Sequence, residues 1–236
     1  MLFVLKYPTY ILAIFVVLFL LWGCESKKKK GSPEISEGSV EYTISYTPEI
    51  MEKSFSFLLP EKMTYYFRDG SERISFKGEL GLYSLDFISD HSTDSSSTLL
   101  KIINKKMFVP SSESKKLFIF RSLKEGQVKF IKDSTRTILG YESHKATIHL
   151  NDKQKTEIEV WYTPEISTPT TNKNTPFSEV PGVMLEFSIY FNDVLFKLTP
   201  KTVEKTQLPE SLFAVPPDYS ATTIEEIEQT IAGILQ

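Results

Sequence analysis

Apolar and polar residues alternate with a period of two along most of the chain from Gly38 onward. Val40, Tyr42 and Ile44 begin the pattern, with polar residues between them. Successive side chains of a strand point to opposite faces, so this alternation predicts strands with one buried face. Further stretches with the same pattern are residues 55–57, 63–67, 74–76, 80–87, 99–109, 128–130, 141–150, 158–162, 184–191 and 194–198. Many short strands separated by turn signals predict a mainly β domain built on one large antiparallel sheet.

One stretch near the C-terminus has helical periodicity instead. Thr223 and Glu226 fit a capping box, in which the two side chains satisfy opposite backbone donors. Behind them, apolar residues recur at helical spacing, at Ile224, Ile227, Ile231 and Leu235. We therefore predict a C-terminal helix that packs on the sheet. Residues 113–125 fit either a helix or a strand.

Two polar stretches interrupt the alternation, residues 89–98 and 168–176. In the first, Asp90, His91 and Asp94 are residue types that bind cations, but a mobile hairpin loop is the commoner outcome for such a stretch. The second is rich in Thr, Asn and Pro, and it predicts a surface excursion between two strands.

The N-terminus has the order of a bacterial lipoprotein signal. Lys6 precedes an apolar run over residues 10–22, and the small Gly23 stands directly before Cys24. An uncleaved membrane anchor is the main alternative, and an ordinary secretory signal is a third. Spanning about 30 Å of hydrocarbon takes roughly 20 apolar residues, more than this run supplies. We predict a signal peptide over residues 1–23 and lipid attachment at Cys24.

Residues 24–37 predict a tether, because Lys27 to Lys30 and the Gly-Ser-Pro that follows offer nothing apolar to bury. The remaining residues, 38–236, are enough for a single domain with one core. Cys24 is the only cysteine, so that domain has no internal disulfide. The net charge of −3 and the absence of a basic stripe argue against a nucleic-acid partner.

The sequence lacks recognisable catalytic and metal-binding motifs, so we expect that the protein is not an enzyme. His144 and His149 are five residues apart on a predicted strand, so their side chains point to opposite faces and do not share a metal. The sequence has no nucleophile elbow, zinc-protease helix motif or phosphate-binding glycine loop. We predict no catalytic residue, no metal and no cofactor.

Several local patterns follow one another in the second half of the chain. They are LGYESHKA at residues 139–146, VWYTPEI at 160–166, PGVMLE at 181–186 and LPESLFAVP at 208–216. This series resembles Bacteroidetes-type envelope proteins of unknown function that are related to the GLPGLI family and to LolA/LolB-type lipoprotein carriers. The resemblance implies a strongly curved antiparallel sheet, an unclosed half-barrel, whose apolar concave face is partly covered by helices. In the carriers that concavity takes acyl chains.

The resemblance also implies a site. Aromatic residues would line the cavity, namely Tyr65, Phe67, Phe76, Tyr83, Phe87, Trp161, Phe187 and Phe213. The C-terminal helix would act as a lid through Ile224, Ile227 and Ile231. Core packing is the alternative role for these side chains. A rigid strap over residues 209–216 that docks Phe213 before the final helix is expected as well.

Three functions remain open, of which the third, a hydrolase, would need a buried acid, base or metal cluster that the sequence does not show. The first is a non-catalytic lipoprotein, anchored in the outer membrane or facing the periplasm, that binds a lipid or another apolar ligand. The second is a structural or interaction lipoprotein with a self-filled core that binds another envelope protein. A cavity of several hundred cubic ångströms between helix and sheet would favour the first function. Inaccessible helix isoleucines would favour the second.

Overall fold

A computed structural model describes residues 35–54, 56–78, 81–110, 127–150, 156–173, 175–191 and 194–234. Its strands are Gly38–Ser45 (β1), Lys62–Arg68 (β2), Ser71–Lys77 (β3), Tyr83–Asp90 (β4), Ser95–Ile102 (β5), Lys105–Val109 (β6), Gln127–Ile138 (β7), Tyr141–His149 (β8), Glu157–Thr163 (β9), Val183–Phe191 (β10), Val194–Glu204 (β11) and Ser220–Ala221 (β12). The α-helices are Pro48–Met51 (α1) and Ile224–Ile234 (α2), and Ser56–Leu58 and Glu210–Phe213 are short 3-10 helices.

The strands form one unclosed twelve-stranded sheet with the order β12-β6-β5-β4-β3-β2-β1-β11-β10-β9-β8-β7. All neighbours are antiparallel except β12 and β6, which run parallel. Irregular pairing at Glu41/Tyr42, at Met184/Glu186 and between Phe130 and Thr135 adds local bends, as β-bulges do. The predicted fold class, a mainly β domain with a curved half-barrel sheet and a C-terminal helix, is confirmed. Residues Pro33–Gln236 make up one compact unit.

Most predicted elements are present, with one local difference among the described residues. The stretch 55–57 was expected to be a strand, but Ser56–Leu58 is a 3-10 helix and Phe57 is exposed. A three-residue alternation is too short to distinguish the two structures. The stretch 99–109, predicted as strand, contains the end of β5 and all of β6. The signal, Cys24, most of the tether and the stretch 113–125 lie outside the described residues.

Alternating residues of the central strands share one face of the sheet, which we call the inner face. The register sets Met63 beside Phe76 and Phe76 beside Leu85, and these side chains are buried in one core. The intervening residues, among them Arg73 and Asp86, point to the opposite, outer face. The period-two pattern therefore decides which side chains enter the core.

Two pieces of chain cover the inner face. Residues 164–182, here called the β9–β10 segment, bury Ile166, Phe177 and Val180 in the same core as the strands. The polar stretch 168–176, expected to be a surface excursion between two strands, is part of this segment and lies between β9 and β10, with Thr168 and Thr170 buried. Helix α2 buries Ile224, Ile227 and Ile231 in that core too, as its stripe predicted.

The start of α2 contains half of the predicted capping box. The Glu226 N–H donates to the Thr223 hydroxyl at 3.3 Å. The Glu226 carboxylate instead accepts from the Thr222 hydroxyl and pairs with Lys105 at 3.1 Å. The described helices include none that is long and apolar enough to cross a membrane.

Between β11 and β12 the chain crosses the outer face as a strap, residues 205–219. The Leu212 carbonyl accepts a hydrogen bond from Arg73 at 2.9 Å, and Arg73 also pairs with Asp86 at 2.9 Å. The Arg68 guanidinium lies 4.7 Å from the centre of the Phe213 ring. After the strap, β12 pairs with the edge strand β6, and the chain continues into α2 on the inner face.

One hydrogen bond ties strand β1 to β10 across the core. The buried Tyr42 hydroxyl donates to the Met184 carbonyl at 2.7 Å. Burial raises the pKa of Tyr42 above its ordinary value, so the hydroxyl keeps its proton.

We expect Tyr42→Phe to cost about 1–2 kcal/mol of unfolding free energy, because the Met184 carbonyl is left buried without its donor. Urea denaturation of the full chain measures this. Tyr190→Phe is the matched control at an exposed position, and equal losses in both variants would refute the assignment.

Candidate functional site

A small cavity lies between the inner face and the β9–β10 segment. Its volume is about 50 Å³. The apolar part of its wall comes from β1, β2, β3 and β10, through Tyr42, Met63, Ile74, Phe76, Met184 and Phe187. Ligand pockets commonly measure about 300–1,000 Å³, whereas a single water needs about 10–15 Å³. The cavity therefore has room for a few water-sized groups and not for an acyl chain.

A second depression is larger but open. It measures about 450 Å³, and Ser36, Asp69, Ser167, Thr168 and Pro169 line it. Only these five residues line the large volume, so the depression is a shallow polar surface and not an enclosed site. We therefore place the candidate site at the 50 Å³ cavity.

A buried polar group of side chains adjoins the cavity, and we call it the Glu72 cluster: Tyr65, Glu72, Ser89, His91 and Thr170. Glu72 is only 6% exposed although it belongs to a strand face that is otherwise apolar. Its carboxylate accepts from the Thr170 hydroxyl at 3.4 Å and lies 3.9 Å from His91 Nε2, which in turn lies 3.4 Å from Ser89 Oγ. The cluster thus concentrates hydrogen-bonding capacity at one end of an apolar surface.

Tyr65 is the member of the cluster whose hydrogen bonding is incomplete. Its side chain lines the cavity, and its buried hydroxyl has no hydrogen-bond partner of acceptable geometry among the described residues. Burial raises the pKa of the Tyr65 hydroxyl well above its ordinary value, and the neighbouring Glu72 charge raises it further. Since buried polar groups are normally paired, this hydroxyl marks a place where a water or a ligand group belongs.

The β9–β10 segment is held in shape by hydrogen bonds within it. The Asn172 amide donates to the carbonyls of Val180 at 3.0 Å and Gly182 at 2.9 Å. The Thr168 N–H donates to the Thr171 hydroxyl at 2.8 Å. At its start, the segment pairs with Ile35, whose N–H donates to the Glu165 carbonyl at 3.0 Å. This cover is therefore ordered by bonds within it, is tied to Ile35 at its start, and contacts the cavity through Asn172 and Thr175.

The sequence-predicted cavity residues divide into three groups. Tyr65, Phe76 and Phe187 line the cavity. Phe67 and Phe87 are buried elsewhere in the same core, and Tyr83 packs against it while half-buried. The remaining two, Trp161 and Phe213, do not reach the inner face.

Trp161 and Phe213 were expected to line the concavity, and the structure corrects this. Trp161 lies on the outer face, 4.0 Å from the Arg136 guanidinium and 5.8 Å from Lys145 Nζ. Its neighbours Val160 and Tyr162 occupy the inward positions, so alternation turns Trp161 outward. Phe213 belongs to the strap on the outer face, beneath Arg68.

The lid isoleucines fill their part of the inner face. Ile224, Ile227 and Ile231 are 2%, 0% and 4% exposed. They pack against the sheet as core residues, so α2 closes this part of the half-barrel by itself.

Sequence reasoning missed the polar side of the cavity, which Glu72, Asn172 and Thr175 provide. The inward position of Glu72 was predictable from the alternation. Glu72 stands two residues before Ile74 and four before Phe76 on one strand, and it therefore lies on their face. Asn172 and Thr175 carry no such signal, since an irregular segment has no fixed periodicity.

The described residues contain no group of three or more His, Cys, Asp or Glu side chains that could hold a metal ion. In the 89–98 stretch, Asp90 accepts hydrogen bonds from the N–H and hydroxyl of Ser92 instead, which lower the pKa of its carboxyl. Comparison with known proteins found no family model that matches the chain and no matching curated protein.

Proposed function

We propose that the protein is a non-catalytic lipoprotein of the cell envelope that binds a lipid or another apolar ligand against the inner face of its half-barrel. The observation that carries the proposal is the apolar cavity with an unpartnered, buried Tyr65 hydroxyl in its wall. An apolar pocket with a few convergent polar groups is the usual form of a small-molecule site. Anchoring through Cys24, with the domain at the outer membrane or facing the periplasm, rests on the signal-like N-terminus and on the resemblance to envelope proteins.

A ligand with an acyl chain requires the cover to move, because 50 Å³ holds only its first atoms. The β9–β10 segment is the part suited to this. Its centre is irregular, and the Asn172 amide supplies two of the hydrogen bonds that hold its shape. When the segment lifts, the space of Phe177 and Val180 becomes free, and an apolar chain of the ligand takes their place against the sheet.

A second function is favoured by the two criteria stated above, the volume of the cavity and the exposure of the α2 isoleucines. The three α2 isoleucines are inaccessible and the cavity is small, as expected for a domain that fills its own core. Such a lipoprotein would act through its surface by binding another envelope protein. The exposed apolar side chains Phe130, Leu139 and Tyr190 are the contacts we propose for that role.

Photolabelling separates the two functions. The full chain is reconstituted in lipid nanodiscs and exposed to a diazirine-bearing alkanol, and labelled residues are mapped by mass spectrometry. Ligand binding predicts saturable labelling at the cavity methionines, Met63 and Met184. Labelling that is confined to exposed residues would instead support the interaction protein.

The variant Asn172→Gly tests whether the β9–β10 segment has to move for the ligand to enter. Glycine keeps the positive φ of this position, +67°, while removing both amide hydrogen bonds of the cover. Each bond contributes about 0.5–1.5 kcal/mol, so losing both costs about 1–3 kcal/mol, and we expect cavity labelling to rise by about fivefold to a hundredfold. Asn104→Gly, in the turn between β5 and β6, is the matched control and should leave labelling unchanged. A cover that is irrelevant to binding would give the same labelling in both variants.

A further inference from the structure

We propose that the Glu72 cluster binds a primary ammonium group at the head of the apolar ligand, an inference that rests on the proposed ligand-binding function. The cluster is therefore the polar end of the site, and the cavity beside it takes the first carbons of the ligand's chain. Both surfaces belong to the same small volume, since Glu72 and Tyr65 line the cavity together with Phe76 and Met184.

The first step of the argument is the position of the charge. Glu72 lies on β3, paired with Phe67 of β2 on one side and Ser89 of β4 on the other. It is 6% exposed, and a buried carboxylate is costly unless a cation or several hydrogen bonds compensate it. A carboxylate kept at this depth on an apolar face is unusual for a residue whose only task is packing.

The second step is the shortage of donors around that carboxylate. Among the described residues, no lysine or arginine forms an ion pair with Glu72. The Thr170 hydroxyl reaches it at 3.4 Å, at the long end of the hydrogen-bond range. His91 Nε2 is 3.9 Å away, beyond that range. The Tyr65 hydroxyl is close enough to Glu72 for the carboxylate to raise its pKa, but it makes no hydrogen bond of acceptable geometry among the described residues. The carboxylate therefore retains accepting capacity that a ligand can use.

The third step is that the remaining polar groups of the cavity also offer acceptors. The Asn172 amide N–H groups are used on the Val180 and Gly182 carbonyls, which leaves its side-chain oxygen for a ligand. The Thr175 hydroxyl donates to the Asn172 carbonyl at 2.8 Å and accepts from the Phe177 N–H at 3.1 Å, so its oxygen offers one remaining lone pair. The unpartnered Tyr65 hydroxyl adds one further oxygen.

These groups select the chemistry of the ligand. An ammonium group has three donors, a positive charge and no acceptor, which complements a carboxylate surrounded by oxygen atoms. A carboxylate head, as in a fatty acid, would bring a second negative charge beside Glu72 and would be disfavoured. An alcohol head can donate one hydrogen bond but leaves the charge uncompensated. The expected order of affinity is amine, then alcohol, then acid.

The test uses three diazirine probes of matched chain length, an alkylamine, an alkanol and a fatty acid, on the full chain in nanodiscs. We expect the amine to label Met63 and Met184 most strongly. Glu72→Gln should lower amine labelling by about tenfold or more, because it removes a desolvated charge pair. Alkanol labelling should change by less than about twofold in this variant, since the amide still accepts a hydrogen bond.

Two further variants test whether a loss of amine labelling reflects a change in the fold rather than the loss of a binding group. Glu186→Gln removes a carboxylate that pairs with Arg136 on the outer face at 2.8 Å, and it should leave all three probes unaffected. Tyr65→Phe removes the unpartnered hydroxyl with little change of shape, and it should lower amine labelling several-fold while thermal unfolding stays cooperative. It also tests the proposal if Glu72→Gln fails to fold.

The outcomes separate this inference from the proposed function. If the alkanol labels the cavity saturably but the amine shows no preference, or if Glu72→Gln lowers all probes equally, the head-group inference is wrong and ligand binding stands. If no probe labels the cavity in the wild type or in Asn172→Gly, both are wrong, and the Glu72 cluster holds only water.

Discussion

Replacing Gly182 by alanine is expected to destabilise the domain by more than about 3 kcal/mol. A Cβ at this position would lie 2.1 Å from the Thr163 carbonyl oxygen and 2.8 Å from Pro164 Cα. Both contacts are to backbone at the end of β9, where Thr163 pairs with Val183, so neither atom can rotate away. The φ of +104° adds strain of its own, because side-chain-bearing residues rarely adopt it. The substitution thus acts on the hinge where the β9–β10 segment enters β10.

Gly140→Ala is the matched control for Gly182→Ala. Gly140 has a similar backbone conformation, with φ of +89°, but a Cβ there would meet nothing within 4 Å. Gly140→Ala should therefore lose only the unfolding free energy that comes from the strained backbone conformation, about 1–3 kcal/mol. Equilibrium denaturation of the full chain compares the two variants. Equal losses would mean that close approach to Thr163 contributes nothing, and that the cover is not anchored as described.

The second large effect is expected at Ile227. Its side chain is fully buried between α2 and the sheet. Ile227→Ala should cost about 2–5 kcal/mol, since it removes buried methyl and methylene groups and leaves a void that the packed surroundings only partly fill. Denaturant titration gives the free energy, and amide hydrogen exchange should show faster exchange in Ile224–Ile234 before the rest of the domain opens.

Gln229→Ala, on the exposed side of the same helix, is its control. Alanine favours the helix at least as well as glutamine, so this variant should stay within about 0.5 kcal/mol of the wild type. A small effect at both positions would indicate that α2 is only loosely docked. In that case the inner face beneath it would again be a candidate for ligand binding.

The sequence was most informative where one rule acts locally. Alternation decides which residues of a strand enter the core, and it applies to Tyr42 and Phe76 as expected. The same rule predicts that Trp161 points to the outer face, because Ile158, Val160 and Tyr162 are the apolar residues of the alternation. Trp161 lies between two of them. Interpreting Trp161 as a cavity residue followed the resemblance to the carriers rather than the alternation, and the alternation was correct.

Other features depend on contacts that no local pattern specifies. The β9–β10 segment has a polar composition, yet Ile166, Phe177 and Val180 dock it against the sheet. Phe213 reaches the outer face because the strap follows a route set by Arg73 and Arg68. The polar side of the cavity also requires this docking, since Asn172 approaches Glu72 only when the segment is in place.

The position of β1 has a consequence for how fast the domain folds. Strands β1 to β6 form a ladder of successive neighbours, and so do β7 to β11, so each ladder assembles through short connections and a single longer one. The two ladders meet where β1 pairs with β11, which joins residues near 40 to residues near 200. Closing so long a loop has an entropic cost, and this cost is met before the contacts between β1 and β11 can stabilise the fold. The pairing of β1 with β11 is therefore the slow, late event of folding, and until it occurs each ladder exposes an unpaired edge that another chain can capture.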